Sequence, residues 1–79
     1  MKINVLLFGS LTEIIGQSSI SLSADKITDV HQLHAYLLKQ YPALSAKTFK
    51  YAVNQDLVDT DHTLQEGDEV ALLPPFSGG

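Results

Sequence analysis

Apolar and polar positions alternate over residues 3–8, where Ile3, Val5 and Leu7 point one way and Asn4, Leu6 and Phe8 the other. A period of two predicts a strand with one face against a core. Ser10 then opens a short helical pattern. Leu11, Ile14 and Ile15 form its apolar stripe, Glu13 stands at the capping-box spacing from Ser10, and Gly16 suits its end. Ser19, Ile20, Ser21, Leu22 and Ser23 alternate again, as in a half-buried second strand. The turn at Gly16-Gln17 is short, so the first two strands are expected to be antiparallel neighbours.

The period then lengthens to that of a helix, from about Asp29 to Gln40. Val30, Leu33, Leu37 and Leu38 form the buried stripe and Tyr41 closes it. Thr28 is the expected N-cap, Asp29 complements the positive helix start, and Pro42 ends the helix. Tyr51 and Val53 alternate with Ala52 and Asn54 in a third strand, Gln55-Asp56 reads as a turn, and Leu57-Val58 as a short return strand. A second turn at Glu66-Gly67-Asp68 leads into a last strand over residues 69–73, with Val70 and Leu72 on one face and Ala71 and Leu73 on the other. The order is β, short α, β, α, β, β, β. A sheet covered by one main helix is a two-layer α+β arrangement.

One face of that sheet is unusual. Phe8 and Leu73 should both point away from the main helix, near the same ends of their strands, and Leu57 can join them. Three large apolar residues together on so small a domain suggest a docking surface. The competing arrangement has the tail or a loop folded over them.

Composition narrows the function classes. A chain of 79 residues allows one domain, expected over residues 1–75 with residues 76–79 as an extended tail. It contains no cysteine, which excludes a disulfide scaffold and a cysteine-based zinc site. It contains no arginine, hence no fork for bidentate phosphate binding. The net charge of -4 argues against a nucleic-acid partner. The apolar run at the start is too short for a secretion signal, and no stretch approaches the ~20 apolar residues of a membrane span. The expectation is a cytoplasmic protein that meets no membrane.

The charge is unevenly placed. Residues 1–50 hold all five lysines against Glu13, Asp25 and Asp29, a balance of +2. Residues 51–79 hold Asp56, Asp59, Asp61, Glu66, Asp68 and Glu69 with no lysine, a balance of -6. Such a run is either a solvated surface or an end that steers toward a basic partner.

His31 and His34 stand one helical turn apart, but no third metal ligand accompanies them. Asp59 and Asp61 lack the glycine and closing glutamate of a calcium loop. No glycine-rich phosphate loop is present, so the chain is expected to bind no cofactor and no metal.

The chemistry-bearing end is the last one. After Leu73 come Pro74, Pro75, Phe76, Ser77, Gly78 and Gly79. The prolines cannot donate to a ladder and stiffen the exit as an extended stalk. The four residues beyond them span roughly 13 Å when extended. Two glycines without side chains can thread a channel too narrow for other residues and let the backbone approach a bound nucleotide. The reactive group at the tip is the carboxylate of Gly79.

These residues resemble the MoaD/ThiS family of ubiquitin-like sulfur carriers over the whole length. The matching motifs are Ala52-Val53-Asn54-Gln55 with Leu57-Val58, Asp61-His62 with Leu64, Gly67-Asp68-Glu69-Val70-Ala71, Pro74-Pro75 and Gly78-Gly79, with Phe8 and the Glu13-x-x-Gly16 spacing near the start. The resemblance implies a β-grasp fold. It implies that an E1-like enzyme adenylates the Gly79 carboxylate with ATP, which that enzyme binds, and that sulfur from a persulfide donor displaces AMP to leave a thiocarboxylate. In molybdopterin synthase the tail enters the large subunit, expected here in a heterotetramer, and donates sulfur to cyclic pyranopterin monophosphate. The chain would be a sulfur-donating subunit rather than a catalyst alone. Carried over by position, Phe8, Leu57, Leu73, Pro74, Pro75, Phe76 and Ser77 contact the partners, while Gly78 and Gly79 carry the chemistry. His62 is expected to hold a loop. Thr12 stands where many relatives have arginine, and Phe76 where a smaller aliphatic residue is common. The competing readings are a thiamine-pathway sulfur carrier, a protein modifier conjugated through Gly79, and a binding module with inert glycines.

Overall fold

The structure is a computed structural model and describes residues 2–23 and 25–74. The described residues form strands β1 (Lys2–Leu7), β2 (Ser19–Ser23), β3 (Lys50–Val53), β4 (Asp56–Val58) and β5 (Glu69–Leu73). Helix α1 (Leu11–Ile15) lies between β1 and β2, and α2 (Val30–Gln40) between β2 and β3. The strands form one sheet in the order β2-β1-β5-β3-β4. β1 and β5 are parallel, and the other neighbouring pairs are antiparallel. A mixed five-stranded sheet packed on one main helix is the ubiquitin-like β-grasp arrangement.

Alternation in the strands sorts the two faces. Ile3, Val5 and Leu7 of β1 and Val70 and Leu72 of β5 are buried against Val30, Leu33 and Leu37 of α2. Burying each such side chain contributes roughly 1.5–3 kcal/mol. Leu38 and Tyr41 flank this core half-buried. Three further core residues, Ile27, Leu44 and Leu64, come from segments without periodicity. Leu44 is placed by a 3-10 turn, Pro42–Ala46, which continues the chain after α2. Pro42 is tolerated there because the first N–H of a helical turn has no partner to lose.

Local chemistry departs from the sequence pattern at four places. β1 ends at Leu7, so Phe8 lies just beyond the strand. Ser10 precedes α1 in helical geometry and makes no side-chain cap, so the capping box with Glu13 is not formed. Instead the Thr12 hydroxyl donates to the Gly9 carbonyl at 2.8 Å, and Gly16 closes the helix at φ 85. The N-cap of α2 is Asp29 rather than Thr28. Its carboxylate accepts from the Gln32 N–H at 2.8 Å, while the Gln32 side-chain oxygen accepts from the Thr28 N–H and hydroxyl. The β3–β4 turn is Asn54-Gln55, both at positive φ, with Asp56 already paired to Val53. Two left-handed residues suit the twist of a two-residue hairpin. Asn54 is held there by side-chain bonds to Asp68 and to the Glu69 N–H.

The segment after β4 clamps the start of α2. Helix N-termini leave unpaired N–H groups. Here the Thr60 and His62 carbonyls accept from His31 and Val30 at 2.8 and 3.0 Å. The loop role expected of His62 is thus carried by its backbone.

His34 belongs to an aromatic cluster rather than pairing with His31. Its Nδ1 is hydrogen-bonded to the Tyr51 hydroxyl at 2.9 Å, and Phe49 and Tyr51 meet edge to face at 5.5 Å. Burial holds the Tyr51 hydroxyl well above the usual phenol range. The unfolded chain ionises this group near pH 10 and the folded chain only at higher pH. The stabilisation linked to this group is therefore complete below about pH 10 and is lost as pH rises further.

Two measurements test this account. Leu33→Ala should lower the unfolding free energy by about 2–5 kcal/mol in denaturant titration, as expected of a fully buried leucine. Thermal melts should show the wild type losing stability steeply above about pH 10, and Tyr51→Phe losing less over the same range.

Candidate docking face and tail exit

The face of the sheet turned away from α2 carries an apolar band. Register aligns Leu6 with Ala71, Ala71 with Ala52, and Ala52 with Leu57, so one row crosses four strands. Neighbouring strands lie about 4.8 Å apart, which gives the row a length of about 14 Å. Its middle is small: Ala52 is buried and Ala71 half-buried, with no side chain tall enough to break the surface. Its end is prominent, Leu57 being 67% exposed. Phe8, 45% exposed, follows Leu7, which pairs with Leu72, so it stands beside Leu73 at the end of β5. Leu73 is half-buried and pairs on its other side with Lys50.

Leu57 and Leu73 therefore share one face, and the exposed Phe8 follows directly beyond the end of β1. Leu57 is two strand spacings from β5, and Ala52 and Ala71 fill the interval. Sequence reading placed Leu6 and Ala71 on this face but did not join them, with Ala52, into one surface. The missing signal is register, which is set between strands remote in sequence.

The chain leaves the domain from the edge of this band. Gly9 has φ +59, and a Cβ placed on it would lie 3.1 Å from Pro74 Cγ. Backbone and proline ring are thus in close approach where β5 ends. The exit begins next to Phe8, on the side where the first strand also ends. Thr12, at the position of the departure noted above, spends its hydroxyl on the Gly9 carbonyl in the same corner. Pro75, Phe76, Ser77, Gly78 and Gly79, the remaining residues assigned from sequence, lie outside the described residues, and so does the tail over residues 76–79.

Among the described residues, no group of three or more histidine or carboxylate side chains is placed to hold a metal. No helix among them is long and apolar enough to cross a membrane. What the arrangement offers is a flat apolar face whose edge lies where the chain leaves β5 at Pro74.

Fold and face together define a ubiquitin-like β-grasp protein. The sequence matches the ThiS family over residues 5–79, and the chain belongs to that family. It is 40% identical to the molybdopterin synthase sulfur carrier subunit of Escherichia coli, with 98% of this chain and 99% of that one covered. Among solved structures, it resembles SAMP1 of Haloferax volcanii with a TM-score of 0.84 and 26% identity over the full length of both chains. It also resembles a chain in the complex of subunits 1 and 2 of the molybdopterin-converting factor from Helicobacter pylori, with a TM-score of 0.67, 29% identity and full coverage of both.

Because Leu57 is largely exposed, Leu57→Asp should leave the domain folded. Its unfolding free energy should stay within about 0.5 kcal/mol of wild type, measured by denaturant titration.

Proposed function

We propose that this chain is the sulfur-carrier subunit of a molybdopterin synthase. The observation that carries the reading is the 40% identity, across almost the whole of both chains, to a sulfur carrier subunit of that enzyme. The outer face supports it. An apolar surface of Phe8, Leu57 and Leu73 beside the tail exit lets a partner hold the domain while the tail reaches into the partner's active site.

A carboxylate is a poor electrophile because its charge is delocalised and hydroxide is a poor leaving group. Transfer of AMP from ATP to the Gly79 carboxylate makes a mixed anhydride and releases pyrophosphate. The terminal sulfur of a persulfide then displaces AMP. Cleavage of the remaining sulfur–sulfur bond by a thiol leaves the thiocarboxylate, a good sulfur nucleophile. In the large subunit that sulfur attacks cyclic pyranopterin monophosphate, and Gly79 returns as a carboxylate. A dithiolene contains two sulfurs, so two loaded carriers are consumed per product.

The division of labour is the one that membership of the family implies. An E1-like partner binds ATP, a separate donor supplies the persulfide, and the large subunit binds the pterin. The chain supplies Gly78 and Gly79, a narrow stalk through Pro74, Pro75, Phe76 and Ser77, and the docking face. It binds no metal and no cofactor of its own. Chemistry dependent on ATP and a persulfide belongs in the cytoplasm.

Conjugation to lysines is the second reading, favoured by the likeness to SAMP1, a small archaeal modifier protein. Mass spectrometry of the protein from its native host separates the two. Sulfur in place of one oxygen at the C-terminus is expected. Isopeptide-linked adducts without that exchange would replace the sulfur-carrier reading. Deleting Gly79 should leave the melting curve unchanged and abolish molybdopterin formation with the large subunit. Synthesis by the truncated chain would contradict the tail chemistry.

A further inference from the structure

Beside the edge of the sheet lies an open groove of about 720 Å³ that the tail chemistry does not use. It exists because β4 is short. β4 ends at Val58, opposite Tyr51, and the chain turns away through Asp59, Thr60 and Asp61 to reach the start of α2. The space left beside the beginning of β3 is lined by Phe49, Tyr51, Leu57 and Val58. Phe49 and Tyr51 are fixed edge to face, and His34 packs on both at 5.7 and 5.8 Å, so the aromatic wall is rigid.

The groove's lining is mainly apolar and includes Asp59 and Asp61, both exposed. Lys50 also lines it. The rest of the chain from Tyr51 onward holds six acids and no lysine or arginine, so its charge is negative as well. An aliphatic stem tipped by a cation matches this profile. The methylenes cover apolar lining, the aromatic rings favour a cation, and the carboxylates of Asp59 and Asp61 complement its charge.

We propose that this groove docks an extended segment of a partner protein through a single lysine or arginine side chain, with its head at Asp59 and Asp61. The segment is extended because the groove runs beside an edge strand, where a strand-like guest presents alternate side chains inward. Leu57 belongs to both the groove and the outer face, so the segment continues a surface already suited to docking. Lys50 in the same lining disfavours a second cation on the guest.

The test uses the full chain, isotope-labelled, and short capped peptides of alternating valine and threonine with one central arginine. Titration should shift the amide signals of Phe49, Tyr51, Asp59 and Asp61 in a saturable way. A peptide with glutamate in place of the arginine, or with leucine there, should bind at least about fivefold more weakly. Asp59→Asn with Asp61→Asn should weaken the arginine peptide about fivefold, with an unchanged melting curve showing that the variant is folded. Equal binding of the glutamate or leucine peptide, shifts confined to other residues, or no saturable shift would overturn the proposal.

Discussion

The parallel pairing of the first and last strands holds this molecule together. Asn4 to Leu7 run alongside Glu69 to Leu72, joining residues more than sixty positions apart at the centre of the sheet. Parallel neighbours cannot be joined by a tight turn, so the intervening chain must cross over, and α2 is that crossover's main element. Its Val30, Leu33 and Leu37 cover the inner face that β1 and β5 share. The same pairing decides where the chain leaves the domain. With Leu7 opposite Leu72, Phe8 falls beside Leu73, and Gly9 meets Pro74. The stalk therefore emerges next to the exposed aromatic residue that ends the first strand.

The two faces of the sheet are built on different principles. The inner face takes branched and aliphatic side chains that fill space against helices. The outer face takes alanines at its middle and large apolar residues at its rim, so it stays flat and available. A flat apolar surface on a small free protein invites self-association. The net charge of -4 adds repulsion between copies of the chain. In the proposed role this is an economical arrangement. Docking strength is supplied by the domain, and the tail, with nothing bulky at its tip, is left to enter the partner.

Much of this was legible in the chain because it is local. Period-two alternation placed β1, β2 and β5 and sorted their faces, the helical stripe placed α2, and parity put Leu73 on the face turned away from it. What escaped is set by contacts remote in sequence. Ile27, Leu44 and Leu64 are single apolar residues in irregular segments, and only the packed structure brings them to the core. Asp29 displaces Thr28 as the cap because Gln32 engages Thr28 instead. The hairpin turns at Asn54-Gln55 because Asn54 is tied to Asp68 and Glu69 across the sheet. The groove beside β3 had no sequence signal, since it arises where a short strand stops. The resemblance to sulfur carriers rested mainly on the second half of the chain, which holds the hairpin, the Gly67 turn and the tail.

The absence of cysteine acquires a meaning in this account. In the proposed role a sulfur carrier without a thiol holds its sulfur on the main-chain terminus, at Gly79. That claim is tested most directly by loading the chain with radioactive sulfur as the C-terminal thiocarboxylate and mixing it with the large subunit and cyclic pyranopterin monophosphate for a single turnover. The account predicts that the label passes to the dithiolene of the product while the chain returns to an unmodified carboxylate. Label retained on the chain, or molybdopterin formed without label, would contradict it.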